Sequence, residues 1–193
     1  YENERGTFLF NSKDLCMIEY LPELIGAGID SFKIEGRMKT ALYVAAVART
    51  YRKAIDDYFD SEEKYRANMG WYKEEIAKSV HRQFSTGFYF GKPDETAQIY
   101  DSSTYVNEYV YLGMAEEVDG DGRIRIEQKN KFCVGDQIEV MKPDGRNLSV
   151  QVCALSTQDG QAVESAPHAR QILWVELSGQ ADRFDLLRVK KAD

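Results

Sequence analysis

Val110-Tyr111-Leu112-Gly113, Asp119-Gly120-Asp121-Gly122 and Arg123-Ile124-Arg125-Ile126 follow one another along the chain, and their order decides how its second half is built. Two short runs of apolar residues flank a doubled Asp-Gly. Glycine and aspartate tolerate the positive φ angles that a tight hairpin turn needs. The pattern recurs downstream, where Gln137-Ile138-Glu139-Val140-Met141 and Ser149-Val150-Gln151-Val152 flank Pro143-Asp144-Gly145. Ile172-Leu173-Trp174-Val175 and Leu186-Leu187-Arg188-Val189 complete a set of about six short strands. The spacing predicts a small antiparallel β-barrel or sandwich over residues 105–193.

Upstream of Lys92-Pro93-Asp94 the period changes. Thr7-Phe8-Leu9-Phe10 reads as a short buried strand, and Asn11 or Ser12 caps a helix beginning near Lys13. Leu15, Ile18, Leu21, Leu24 and Ile25 recur at helical spacing, with Pro22 forcing a kink or opening a second helix. Ser31-Phe32-Lys33-Ile34-Glu35-Gly36 alternates as a strand does, and a long helix follows from about Thr40 to Phe59. Asp60 and Glu63 carry cap-like spacing for a further helix, with Gly70 its weak point. Strand, helix, strand, helix is the grammar of a parallel α/β unit. Two such strands make no stable sheet alone, so residues 1–60 read as the last strand–helix units of an (α/β) barrel-like domain. Residues 61–104 read as a helical connector. The expected class is therefore α+β or α/β, ending in the barrel.

Composition narrows the function classes. Of 193 residues, 43% are hydrophobic, 30% charged and 12% aromatic, as in a soluble globular protein. No apolar run is long enough to span a membrane, and no signal peptide opens the chain. The formal charge of −7 argues against a surface that binds nucleic acid everywhere, though not against a local basic groove. Three widely spaced cysteines, Cys16, Cys133 and Cys153, suit a reduced, cytoplasmic protein. With two histidines, His81 and His168, and no CxxC, no metal site is expected. Asp119-Gly120-Asp121-Gly122 lacks the remaining features of a calcium loop. There is no GxSxG, HExxH or SxxK. The chain begins at Tyr1 rather than Met, which reads as processing or as a piece of a longer protein.

The densest chemistry lies in Lys33-Ile34-Glu35-Gly36-Arg37-Met38-Lys39, three cations and a carboxylate at the C-terminal end of an expected parallel strand. In α/β folds that end receives ligands. An interior Lys–Glu pair is costly unless matched and used, whereas a salt-bridged strand end needs no further role. Asn11-Ser12-Lys13-Asp14 forms a comparable polar knot after the preceding strand. It serves either as a plain helix cap or as an anion-binding helix start with a lysine beside it.

These two segments resemble motifs of the U32 family, historically called collagenase-like peptidases. The likeness continues through Tyr51-Arg52-Lys53-Ala54-Ile55-Asp56, Thr86-Gly87-Phe88 and Lys129-Asn130-Lys131-Phe132-Cys133-Val134-Gly135-Asp136. The last segment points toward the branch that hydroxylates the wobble uridine of tRNA. The resemblance implies a barrel-like catalytic domain followed by a β-barrel. For the full-length protein it implies a 5-hydroxyuridine-forming activity that depends on prephenate, needs no O2 and acts on tRNA. It also implies an iron–sulfur cluster whose cysteines lie upstream of the matched part, so no cofactor is expected in this chain. Under this reading Lys33 and Arg37 grip an anion, Glu35 orients Lys33 or accepts a proton, and Lys13, Asp14 and Asn11 contact substrate. The isolated segment is expected to be inactive alone and to dimerise through its exposed faces.

Two other readings stand beside it. One is a U32 peptidase, although no nucleophile–base pair is visible. The other is an accessory module binding RNA or protein through Tyr105, Tyr109, Tyr111, Phe132 and Trp174 with Arg123, Arg125, Lys129 and Lys131.

Overall fold

A computed structural model of the chain describes residues 2–3, 6–7, 12–100 and 105–191. The chain divides into two compact units, residues 1–107 and 108–193.

The first unit is helical, with short ladders at its margins. Strands β1 (Glu2–Asn3) and β2 (Gly6–Thr7) pair antiparallel. Strand β3 (Asp14–Leu15) pairs parallel with β4 (Phe84–Ser85). Between them lie a 3-10 turn (Ile18–Tyr20) and helices α1 (Leu21–Gly26), α2 (Ala41–Asp60), α3 (Glu62–Ala67) and α4 (Met69–Ala77). A second 3-10 turn covers Glu95–Ala97. Of the strand expected at Thr7–Phe10, Thr7 is paired within β2, and residues 8–10 fall outside the described residues.

The helix expected from Lys13 does not form there. The apolar spacing is real, but Asp14 and Leu15 are drawn into the ladder with Phe84 and Ser85, and the helix starts only at Leu21, with Pro22 in its first turn. Segment Ser31–Gly36 forms no strand either. Phe32 and Ile34 turn inward while Lys33 and Glu35 face solvent, so the alternation holds, but no described neighbour offers a ladder. Of the two readings, an interior Lys–Glu pair and a salt-bridged end, the first does not form: Lys33 and Glu35 are both exposed, and Glu35 pairs with Arg37. Helix α2 agrees closely with expectation. Thr40 caps it by accepting a hydrogen bond from Tyr43 N–H at 3.3 Å. The cap of α3 is Ser61 rather than Asp60, accepting from Lys64 N–H at 3.1 Å. The break before α4 falls at Asn68 rather than Gly70, where the Asn68 amide donates to Asp57 Oδ2 at 3.0 Å. Ile18, Leu21, Ala54, Tyr65, Tyr72 and Ile76 form this unit's core.

The polar side of that core is organised by Asp57, which is 3% exposed. Burial would raise its carboxyl, but hydrogen bonds from Lys53, Tyr72, Asn68 and Lys64 outweigh burial and lower it to about 2. The Tyr72 hydroxyl donates at 2.6 Å and Lys53 Nζ at 2.8 Å. Nearby, buried Arg49 pairs with buried Glu75, which also takes Lys78 Nζ at 2.6 Å.

The second unit is a closed six-stranded antiparallel β-barrel. Its strands are β5 (Tyr109–Val118), β6 (Ile124–Glu127), β7 (Gln137–Met141), β8 (Asn147–Thr157), β10 (Ile172–Leu177) and β11 (Leu186–Lys190), with β9 (Ala162–Val163) a short hairpin arm on β8. Around the barrel the order is β10, β6, β5, β11, β7, β8, and β8 closes onto β10. Both hairpin turns read from the sequence are present. Leu112, Ile126, Phe132, Val140, Val152, Leu173 and Leu187 are among the residues that fill the interior. Gly113 sits where β5 shifts register against β11; a Cβ there would lie 3.1 Å from the Glu127 carbonyl oxygen. Arg188 is fully buried and matched by Glu139 across β11 and β7, with Nη2 donating to Oε1 at 2.7 Å.

Candidate functional site

The site is assembled around residues 12–16, which are stitched to two other segments. Lys13 N–H donates to the Ala97 carbonyl at 3.0 Å, Asp14 N–H to Gln83 at 2.8 Å and Cys16 N–H to Ser85 at 3.0 Å. Asp14 Oδ2 accepts from Arg82 N–H at 2.9 Å. The ladder thus fixes a carboxylate and a thiol two residues apart, opposite the first half of α2.

Two tyrosines of α2, Tyr43 and Tyr51, face this edge. The Tyr51 hydroxyl accepts from Met17 N–H at 3.0 Å and lies 3.8 Å from Cys16 Sγ. Burial, and then Cys16, push the Tyr51 phenol well above its ordinary range. The Tyr43 phenol is also raised, by burial and then by Asp14, Cys16 and Glu35. Both therefore remain protonated at neutral pH. Tyr43 makes no hydrogen bond through its hydroxyl to any described residue, so it is available as a donor to a ligand beside the Asp14 acceptor. Tyr51 also borders an open groove of about 590 Å³ between residues 28–34 and α2, lined by Ile25, Phe32, Ile34, Ala48 and Ile55. An apolar groove bordered by the Tyr51 phenol suits a small ligand with a polar group at one end.

The residues singled out from the sequence come together only in part. Asp14 and Glu35 both lie near Tyr43. Lys33 is exposed. Glu35 and Arg37 engage each other: Glu35 Oε1 accepts from Arg37 N–H at 2.9 Å, and Arg37 Nε lies 3.7 Å away, with both side chains largely in solvent. Lys13 is half-buried and enters the ladder through its backbone, while Asn11 lies outside the described residues. Gly36 has a local reason: a Cβ there would lie 2.6 Å from Val44 Cγ2 at the start of α2. Tyr43, Tyr51, Arg82 and Lys39 were not selected from the sequence. Lys39 stood in the basic segment, and Tyr51 opened a segment that resembles the family without being given a role.

A second feature adjoins the first. His81 and Val106 exchange both backbone hydrogen bonds, at 3.2 and 2.8 Å, which brings Arg82 to Tyr105. The Arg82 guanidinium lies 4.9 Å from the centre of the Tyr105 ring, and Lys39 Nζ lies 4.5 Å from the same centre. Lys39 Nζ also donates to the Val80 carbonyl at 3.1 Å.

The described residues do not fit a metal cluster. Cys16 neighbours Tyr51, Cys133 lies beside Ser165, Cys153 is exposed, and among the described residues no three His, Cys, Asp or Glu side chains converge as a metal set. Nor is there a peptidase-like pair. Among the described residues neither histidine is hydrogen-bonded to a Cys, Ser or Thr side chain, and His81 Nδ1 meets the Arg82 carbonyl at 2.6 Å. On the barrel, Phe132 is buried, and Arg123, Arg125 and Lys129 pair with Asp119, Glu116 and Glu117, and Glu127. Of the aromatic residues read as an RNA-binding barrel surface, Phe132 is core and Tyr109, Tyr111 and Trp174 are partly buried, and the cations Arg123, Arg125 and Lys129 are internally neutralised. The Lys-Asn-Lys-Phe segment supplies Phe132 to the core, and Asp136 caps its turn at Cys133 N–H, 2.8 Å away.

Residues 1–99 match the profile of peptidase family U32, and residues 107–188 match the family's C-terminal domain. The chain belongs to peptidase family U32. Among its relatives, tRNA hydroxylation protein P1 of Bacillus subtilis is 33% identical over 99% of this chain and 45% of its own length. The tRNA hydroxylation protein P of Escherichia coli is 33% identical over 91% of this U32 chain and 38% of its own length. A collagenase of Porphyromonas gingivalis is 29% identical over 86% of this chain and 46% of its own length. The chain thus spans less than half the length of these relatives. The crystallised C-terminal domain of a Geobacillus thermoleovorans U32 protein is 22% identical, covering 42% of this chain and 99% of that one, with a TM-score of 0.39. Among the described residues no helix is long and apolar enough to cross a membrane.

Proposed function

We propose that this chain is part of a U32 protein that hydroxylates the wobble uridine of tRNA. The observation that carries the reading is the 33% identity to a tRNA hydroxylation protein sustained over 99% of the chain, through both units. Asp14 as acceptor near the protonated Tyr43 suits binding of a polar ring that offers both a donor and an acceptor, because a protonated phenol donates and a carboxylate accepts. A small carboxylate co-substrate such as prephenate, and an iron–sulfur cluster, belong to the proposed whole protein. The peptidase reading is disfavoured by the surroundings of Cys16, whose side-chain neighbour is a protonated phenol rather than a base.

The test uses the intact gene. Its deletion should remove 5-hydroxyuridine-derived nucleosides from digested tRNA, measured by mass spectrometry. Wild-type complementation should restore them, whereas Asp14→Asn and Tyr43→Phe should restore much less. An unchanged nucleoside profile in the deletion strain would overturn the reading.

A further inference from the structure

We infer that Lys39 and Arg82, held over the Tyr105 ring, form a contact for an RNA phosphodiester. This inference rests on the tRNA reading above and deepens it. Three observations carry it. First, the two cations stand 4.5 and 4.9 Å from one ring centre, so they lie no farther apart than the sum of those distances. Like charges within that span repel each other, and an anion beside them relieves the repulsion. Second, neither forms an ion pair with a carboxylate among the described residues, although Asp14 is adjacent; Asp14 is occupied by the Arg82 backbone N–H instead. Many cations elsewhere in the chain are neutralised: Lys53, Arg66, Arg123, Arg125, Lys129, Lys142 and Arg188 each have a carboxylate partner. Third, the ring is 43% exposed and the two cations are only partly buried, so the cluster opens to solvent.

Each residue has a distinct part. Lys39 is tethered to the Val80 carbonyl, also interacts with the Tyr43 ring at 5.1 Å, and points its charge from the start of α2. Arg82 is anchored to the Ser12 carbonyl through Nη1 at 3.2 Å and its Nε is buried, which leaves Nη2 as the donor for a phosphate. Tyr105 is a positioning residue: its π face holds both cations in place before a ligand arrives. A chain of net charge −7 repels RNA at long range, so a contact must come from such a local, unneutralised pair. The Tyr43 ring lies 5.1 Å from Lys39 Nζ, so a phosphate here would seat the RNA next to the Tyr43 phenol.

The experiment titrates a fluorescently labelled anticodon stem–loop RNA with the full 193-residue chain over a series of salt concentrations. The wild type should bind with an affinity that falls as salt rises. Lys39→Gln and Arg82→Gln should each weaken binding about tenfold and reduce the salt slope by about one. Tyr105→Leu should weaken it severalfold while leaving that slope nearly intact. Lys39→Arg, which keeps the charge, should bind as the wild type does and guards against misfolding. The ion-paired Lys129→Gln should change little. Unaltered binding by Lys39→Gln and Arg82→Gln, or no binding by the wild type, would overturn the inference. So would displacement of RNA by inorganic phosphate well beyond chloride at equal ionic strength, which would assign the cluster to a small free anion. The failures separate cleanly. Absence of RNA binding by the wild type, with the modified nucleosides lost in the deletion strain, sinks this contact alone, and RNA binding through the cluster with unchanged tRNA nucleosides sinks the hydroxylation reading alone.

Discussion

Replacing Asp57 with Asn tests the account of the helical unit most directly. The carboxylate is 3% exposed and takes hydrogen bonds from Lys53, Tyr72, Asn68 and Lys64. A carboxyl lowered from 3.8 to about 2 stabilises the folded state by roughly 2.5 kcal/mol at neutral pH. The Asn side chain keeps the shape but loses the charge, and leaves the Lys53 and Lys64 ammonium groups facing an amide. A loss of about 2–3 kcal/mol is expected, or a fall in Tm of roughly 10 °C or more for a unit of this size. The sign with pH follows from the lowered pKa. The stabilisation is complete above about pH 4 and disappears as pH falls from about 4 toward 2. The gap between wild type and variant should therefore close across that window. Trp71 is a local probe, since its ring meets Tyr72 edge-on at 5.8 Å, and Tyr72 is a donor to Asp57. Following Trp71 fluorescence in a Trp174→Phe background isolates the helical unit. Equal melting at pH 7, or a stability gap that persists unchanged at pH 2, would refute the reasoning.

Two further outcomes concern the barrel. Arg188→Met should destabilise it by about 3 kcal/mol because Glu139 loses its matched cation, and adding Glu139→Leu should recover much of that loss; urea denaturation followed at Trp174 decides this. Gly113→Ala should cost about 1–3 kcal/mol in the same assay, since its methyl would be set 3.1 Å from the Glu127 carbonyl oxygen; a neutral result would mean that β5 shifts freely at this point.

Most of the barrel was legible because its information is local. Asp119-Gly120-Asp121-Gly122 and Pro143-Asp144-Gly145 name their turns, and the flanking strands keep a period of two. Helix α2 was legible for the same reason, with Thr40 as its cap and an apolar stripe behind it. Segment 31–36 shows the limit of such reading. Its alternation reports which side chains are inward, and a ladder also needs a neighbour that no local pattern reveals. Leu15 carried a helical spacing that lost to pairing with Ser85, seventy positions away. The candidate site was legible only at Asp14 and Glu35, because charged residues in a polar knot announce themselves. Tyr43 and Tyr51 look like ordinary members of an amphipathic face. Their role depends on Cys16 and Asp14 lying opposite, and Arg82 meets Tyr105 only because His81 and Val106 form a bridge.

The order of strands around the barrel bears on how the protein is made. Strand β11 lies between β5 and β7, so Leu186 pairs with Met114 on one side and Met141 on the other. During synthesis both partners emerge well before β11 does, and until it arrives each presents an unpaired edge. The barrel cannot shut as a growing chain, because closure requires contacts distant in sequence and is slow on that account. The ribosome-bound intermediate is thus an open sheet with two sticky margins, the species most prone to capture by chaperones or by another nascent copy.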